Sequence, residues 1–424
     1  MRLLTGGFVA ALLLALSFPA GALAEVQTLV FDSAPVTIGA YGVARGAQLA
    51  PSPKVSGDVV AMKATLVDVL GNPVRHTDVM LHHVVFARLG APDATCSQIA
   101  DYDGRPAPVQ AQRFYAEGEE HFSLALPDGY GYPNRATDSW GLLYMLMNHH
   151  ARTSTVQVRY TVTYVVDEAR TAVQPVWLDV RNCRADPVFN VPGTGGSGST
   201  YIQHADWVAP ESGVLVAGGA HLHGGGLSVD VSDTRCGSLF RSYPVWGGIE
   251  PRPVMHEPGP VAMTGFSDPA GRPVPAGDTL RITATYDNAR PHVRVMGIAI
   301  LYFAPRAVSA CRSYDSAAPE PTTPDLVTVA LLKRPAGPVR KVKSTWVGDY
   351  AFGAQRVSIK RGTRFTWRFA GGTAHDVTLA TGPVGFSSPS LTRGTYSFRF
   401  TRSGTYRLFC SLHPSRMTQV ITVH

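Results

Sequence analysis

Apolar and polar residues alternate with a period of two along the C-terminal quarter of the chain. Val357 and Ile359 flank a serine, and single polar residues separate Phe365, Trp367 and Phe369. The same period runs through Tyr396, Phe398 and Phe400, and Tyr406, Leu408 and Cys410 continue it. Successive side chains of a strand point to opposite faces, so each segment predicts a half-buried strand, with turns at Lys360–Gly362 and Ser403–Gly404. Upstream, Val79–Phe86 and Leu142–Met147 are continuous apolar runs, which predicts strands buried on both faces. Histidines stand out in both places: His82 and His83 interrupt the first run, and His149 and His150 follow the second.

Composition fits the same picture. The chain has 424 residues, 45% of them hydrophobic but only 16% charged, with 42 glycines and 32 prolines. Frequent turn residues and few charges disfavour long surface helices and point to an all-β, multi-sandwich protein. Two breaks divide it. Gly193–Ser199 is Gly/Ser-rich and Ala317–Pro324 is Pro-rich, giving blocks of about 25–185, 186–310 and 325–424, with a spacer over 311–324. The Gly-rich stretch fits a long loop within one domain equally well.

Residues 1–24 read as a secretory signal: Arg2, an apolar run from Phe8 to Phe18, and a small-x-small site at Ala22–Ala24. That run is short of the ~20 residues that span a bilayer, and no later segment qualifies. The expectation is a mature chain beginning near Glu25, exported to the periplasm or outside the cell, with no stable membrane span. In an oxidising compartment Cys96, Cys183, Cys236, Cys311 and Cys410 pair where they can, leaving one over. The formal charge is +7, yet no basic cluster is longer than Lys341-Val-Lys343 and no aromatic platforms accompany it, which argues against nucleic-acid binding.

The odd cysteine has a role in Cys410-Ser-Leu-His413-Pro-Ser-Arg-Met417, which follows a strand, with His375 lying 35 residues upstream of Cys410. A thiolate, two imidazoles and a thioether are the ligands of a type 1 (blue) copper site, two His and a Cys around the metal with a weak axial Met. Parity puts Tyr406, Leu408 and Cys410 on one inward face. This block resembles the cupredoxins of the plastocyanin and amicyanin kind, which implies a Greek-key β-sandwich and a copper held by His375, Cys410, His413 and Met417. The three residues between His413 and Met417 lie between the spacings of those two relatives. The other four cysteines then allow three connectivities, which the sequence does not rank.

The first two blocks carry His82-His83, His149, His221-Leu-His223 before Gly224–Gly226, and Met296. His221 and His223, two apart on a strand, share a face and can chelate one ion; His82 and His83 need a bulge or twist to do so. The order His-His, His, His-x-His, Met resembles the copper type II, ascorbate-dependent monooxygenases of the peptidylglycine and dopamine hydroxylase family. It implies two jelly-roll-like β-sandwiches and two further coppers. One, for electron transfer, is held by His82, His83 and His149; the other, catalytic, by His221, His223 and Met296. Two positions depart from the family: Gly219 stands where peptide-processing members have a carboxylate-binding Arg, and Ile300 where they have a Tyr. A peptidylglycine substrate is therefore not expected.

Together the resemblances imply a secreted copper oxidoreductase in which the C-terminal domain passes electrons to a dioxygen-activating site. It would be served by a redox partner or small-molecule reductant and act on a small organic substrate. The alternatives are a non-enzymatic copper-binding electron carrier whose front half is a scaffold, and a copper storage or delivery protein.

Overall fold

A computed structural model describes residues 25–98, 106, 109–184, 186–246, 257, 259–317, 333–348 and 350–424. The expected signal segment, the second half of the spacer (318–324) and the first residues of the C-terminal block lie outside these. Among the described residues every regular element is a strand, as the period-two patterning and the turn-rich composition require. No helix is long and apolar enough to cross a membrane.

The first block stacks two sheets. One is seven-stranded, built around Glu25–Asp32, Ser154–Val166, Gly57–Asp68 and Tyr130–Asn134; the other has the order Val43–Ala50, Trp140–Asn148, Val79–Leu89, Ala111–Gly118. The apolar run Val79–Phe86 is buried on its core face and only partly buried at His83 and Val85 on the other, for a visible reason. Val84 and Phe86 enter the core of the first block, while His83, Val85, Ala87 and Leu89 face a cavity on the opposite side.

The second block begins before residue 185. The Gln174–Asp179 strand pairs with Gly297–Pro305, which pairs with Gly213–Leu222 and so to Phe266–Val274. Parity along Gly297–Pro305 explains how the blocks join: Ala299, Leu301 and Phe303 fill the second core, whereas Ile298, Ile300, Tyr302 and Ala304 join the core of the first. The Tyr302 hydroxyl donates to the Phe114 carbonyl at 2.9 Å across that junction. Residues 193–199 form a loop inside the second sandwich, where Gly195 N–H donates to the Asn288 carbonyl at 3.1 Å.

The C-terminal sandwich pairs a five-stranded sheet, ordered Val339–Arg340, Arg356–Ile359, Thr418–Val423, Gly404–Phe409, Thr378–Thr381, with a four-stranded one containing Ser344–Gly348, Arg364–His375 and Leu391–Arg399. Trp367, Phe365, Phe400 and Tyr406 fill its core. It is docked on the rest of the chain. Gly385 N–H donates to the Pro192 carbonyl at 3.1 Å, the Ser387 hydroxyl to Asn190 Oδ1 at 3.0 Å, and Arg45 to Ser390 Oγ at 3.3 Å.

Disulfides join Cys96 to Cys183 and Cys236 to Cys311, leaving Cys410 as a buried free thiol.

Candidate metal centres

The first candidate centre lies in the C-terminal sandwich. Strand Arg364–His375 ends on His375, and strand Gly404–Phe409 delivers Cys410 just beyond its last residue. Between Cys410 and Met417 the backbone folds into a tight loop: His413 N–H donates to the Cys410 carbonyl, Met417 N–H to the His413 carbonyl, and Cys410 N–H to the Met417 carbonyl, all at 3.0–3.1 Å. That closure brings His413 back over the thiol. The Nδ1 atoms of His375 and His413 are 3.2 Å apart, and Cys410 Sγ lies 4.0 Å and 3.6 Å from them. Three soft or borderline donors this close suit one cation with bonds of about 2.0–2.3 Å. Met417 is fully buried in the same core cluster as Cys410.

The surroundings prepare the sulfur. Burial, and then the nearby Asp376 carboxylate, push the Cys410 thiol up to about 12, so a metal cation rather than solvent must hold it as thiolate. The Asp376 N–H points at Sγ from 3.4 Å, a donor fixed in advance for negative charge on sulfur. The Asp376 carboxylate accepts from Ser411 N–H at 2.8 Å, from the Ser411 hydroxyl and from the Thr378 hydroxyl at 3.0 Å, tying the two ligand-bearing segments together. Burial and the neighbouring His375 hold His413 down to about 4, so at neutral pH its imidazole is free of a competing proton. His375 is almost fully buried while His413 is partly exposed, and the Tyr350 ring lies edge-on to His413 with centroids 4.7 Å apart.

The second candidate centre lies where the two front sandwiches meet. A shift in register between Leu81 and His83 supplies the irregularity that lets adjacent histidines converge, and their Nδ1 atoms are 2.9 Å apart. Across the junction, His221 at the end of the Gly213–Leu222 strand and His223 just past it share a face, with Nε2 atoms 3.0 Å apart. The two pairs confront each other: the rings of His82 and His223 are edge to face at 5.2 Å, and burial together with His221 holds His83 down to about 3. Two imidazole nitrogens about 3 Å apart either share a proton or aim at one cation. The donor chemistry of both pairs therefore fits a metal.

Two buried carboxylates back this cluster, and the sequence patterns did not single them out. Glu120 holds His221 Nδ1 at 2.9 Å, leaving Nε2 toward His223. Burial opposes charge on His221, but Glu120 and Glu119 outweigh it and raise its pKa. Glu119 lies 4.0 Å from His82 Nε2 and accepts from Gly259 N–H at 2.8 Å. A carboxylate behind an imidazole fixes the tautomer that a metal would meet. No local period marks these glutamates, because they lie in the turn after Ala111–Gly118, where side-chain direction follows no fixed repeat.

The remaining expected ligands fall as follows. Met296 occupies the single position between strands His292–Val295 and Gly297–Pro305, buried, and lines a cavity together with His83, His221, Ile298 and Ile300. His149 lies at the Asp78 end of the paired strands, its N–H donating to the Asp78 carbonyl at 2.9 Å. The cavity, of about 500 Å³, lies between the sheets of the two front sandwiches. Away from the histidines its walls include Val85, Leu89, Leu142, Trp177, Ile298 and Ile300. Gly219 faces it, and a Cβ there would approach the Phe122 ring to 2.1 Å, so an aromatic ring fills the space a longer side chain would need.

Residues 143–306, less than half of the chain, match the family described as Stress up-regulated Nod 19 (SURNod19). Among solved structures the chain is similar to a purple cupredoxin from Nitrosopumilus maritimus, at 25% identity over 20% of this chain and 100% of that one, with a TM-score of 0.18. It is also similar to a reduced-state amicyanin variant, at 25% identity over 19% of this chain and 80% of that one, TM-score 0.18. A copper(I) form of another amicyanin variant matches at 24% identity over 20% and 84%, TM-score 0.19. No curated protein matches.

Proposed function

We propose that this chain is an exported copper-binding redox protein, in which His375, Cys410, His413 and Met417 hold a one-electron copper and the interdomain histidines form a second, metal-dependent site. The observation that carries the reading is the convergence of Cys410 Sγ with the Nδ1 atoms of His375 and His413, on a thiol that already has an amide donor aimed at it. Copper in such a donor set supplies reversible one-electron chemistry. The protein's part is to hold the ligands in one arrangement for both oxidation states, through the Asp376 clamp and the closed 410–417 loop. His413, at the exposed edge, is where an external donor would approach.

The second site is proposed to take electrons from the first and to act on a small, largely apolar molecule with dioxygen, in the manner of a monooxygenase. What supports this is the cavity: apolar walls end on His83 and His221, and Phe122 over Gly219 removes the place for a carboxylate-binding residue. A small-molecule reductant or redox partner would supply the electrons. If only the C-terminal site takes copper, the protein is instead an electron carrier on a scaffold.

The test is the visible spectrum and copper content of the oxidised full-length protein. An intense band that Cys410→Ser abolishes and Met417→Leu retains supports the C-terminal site. A colourless copper-loaded wild type refutes it. Reductant-driven oxygen uptake that His221→Ala removes supports the second site, and uptake unchanged by that substitution counts against it.

A further inference from the structure

The two candidate centres are joined by an unbroken set of bonds and polar contacts. The path starts at Cys410 Sγ, which receives the Asp376 N–H at 3.4 Å. The Asp376 carboxylate faces the Arg294 guanidinium at 3.8 Å, and Arg294, partly buried, is held from its other side by Asp186 at 2.6 Å. Arg294 crosses from the second sandwich to the C-terminal domain at a left-handed backbone position, φ 55°, where its N–H donates to Asn190 Oδ1 at 3.0 Å. The same Asn190 oxygen accepts from Ser387 of the C-terminal domain, so the crossing is anchored on both sides. Two residues further along the backbone is Met296. Its carbonyl accepts the Tyr286 hydroxyl at 2.5 Å, and that oxygen accepts the His223 N–H at 2.9 Å.

Resting on the function proposed above, we infer that Asp376, Arg294, Met296 and Tyr286 form the route by which one electron passes from the Cys410 centre to the His221/His223 centre. Electronic coupling decays more slowly through covalent and hydrogen bonds than through gaps, and this route has a single non-bonded step, the carboxylate–guanidinium contact. The step balances as one electron. With copper held at both centres, copper(I) at Cys410 would give up the electron and become copper(II), the ion held by His221 and His223 would be reduced by one unit, and the external reductant would replace the electron at the first centre. No proton needs to travel: the Tyr286 hydroxyl donates to the Met296 carbonyl while its oxygen accepts the His223 N–H, so it serves as a bridge as it stands. The path enters at His221/His223 rather than at His82/His83, so the pair beside Met296 is the one filled from the C-terminal domain.

The experiment uses full-length, copper-loaded protein in which the C-terminal copper is reduced by a flash-generated flavin semiquinone, and its recolouring is followed as the electron moves on. Arg294→Lys keeps the positive charge between Asp376 and Asp186 but is shorter and lengthens the one through-space step, and Tyr286→Phe removes both hydrogen bonds at the far end. Each is expected to slow recolouring several-fold while leaving copper content, visible spectrum and the bimolecular rate of flavin reduction as in wild type. Because both lie on one route, the double variant should slow it by less than the product of the two single effects. A merely structural role for these residues would instead move the spectrum or the copper content. Unchanged recolouring in Tyr286→Phe and Arg294→Lys overturns the route. A wild type that binds copper only at Cys410 is distinguished by its copper count and overturns the underlying function along with the route.

Discussion

Replacing Asp376 by Asn tests whether one buried carboxylate clamps the loop that carries Cys410, His413 and Met417. Asp376 is fully buried and accepts from Ser411 N–H at 2.8 Å, the Ser411 hydroxyl and the Thr378 hydroxyl at 3.0 Å, besides facing Arg294 at 3.8 Å. Hydrogen bonds to a charged group contribute about 1.5–3 kcal/mol each, against about 1 kcal/mol for neutral ones. Asparagine keeps one acceptor oxygen for Ser411 N–H and Thr378, and the Ser411 hydroxyl can reverse its role. What is lost is the charge that strengthens these bonds and half of the partnership with Arg294, whose other carboxylate, Asp186, remains. The net cost is on the order of 2–3 kcal/mol. The assay is the rate at which an excess of a disulfide reagent labels Cys410 in the metal-free, non-reduced protein, since Cys410 is the one free thiol and has no exposed surface. Labelling requires local opening, so its rate reads the opening free energy directly, and 2–3 kcal/mol corresponds to roughly 30- to 150-fold faster modification. The intrinsic reactivity of the opened state is common to both proteins, because there the thiol has its ordinary solution pKa. A change of less than about threefold would mean that the loop is held by its backbone closure alone, and the clamp argument would be refuted.

Three further outcomes are expected. Denatured, metal-free protein should titrate one free thiol without reductant and five with it, and each paired-serine replacement, of Cys96/Cys183 or Cys236/Cys311, should cost roughly 4–5 kcal/mol for cross-links spanning 87 and 75 residues; chemical denaturation checks the cost. Acid should destabilise the metal-free fold between about pH 6.5 and 4: His413 and His83 are held down to about 4 and about 3, so over that window the unfolded chain binds protons that the folded one refuses. Stability then falls by at most about 1.4 kcal/mol per pH unit for each histidine, less for partly exposed His413, and a flat denaturation midpoint across that range would contradict the assignment. Gly219→Ala should cost about 1–3 kcal/mol through its clash with the Phe122 ring, and the same substitution in a Phe122→Ala background should cost much less; equal costs in both backgrounds would place the strain elsewhere.

Much of the local structure was legible in the sequence because strand parity is a local property. Tyr406, Leu408 and Cys410 read as one inward face and are all buried. His221 and His223, two residues apart, do share a face, and the irregularity that adjacent His82 and His83 require is present as a register shift. Runs such as Val79–Phe86 are apolar without alternation because their sheet lies between two others, one face in the core and the other, at His83 and Val85, partly buried against the cavity. The outward face of Gly297–Pro305 carries Ile298 and Ile300 for the same reason: it covers the neighbouring sandwich rather than meeting water.

What the sequence left open concerns contacts between residues distant along the chain. Period and spacing allowed three disulfide connectivities, and only the approach of Cys96 to Cys183 and of Cys236 to Cys311 selects one. They placed two histidine pairs on separate strands, but the packing of one sandwich on the other sets His82 against His223. Glu119 and Glu120 behind those pairs, Phe122 over Gly219, Asp376 under Cys410 and Arg294 between the domains lie in turns, strand ends or crossings, where no repeat fixes a direction. By itself the sequence determined which side chains point inward and which residue types could bind a metal, since alternation and donor chemistry are written residue by residue. Which of those groups meet was decided only by the tertiary structure, because sheet-on-sheet packing brings together positions whose separation along the chain carries no information about their separation in space.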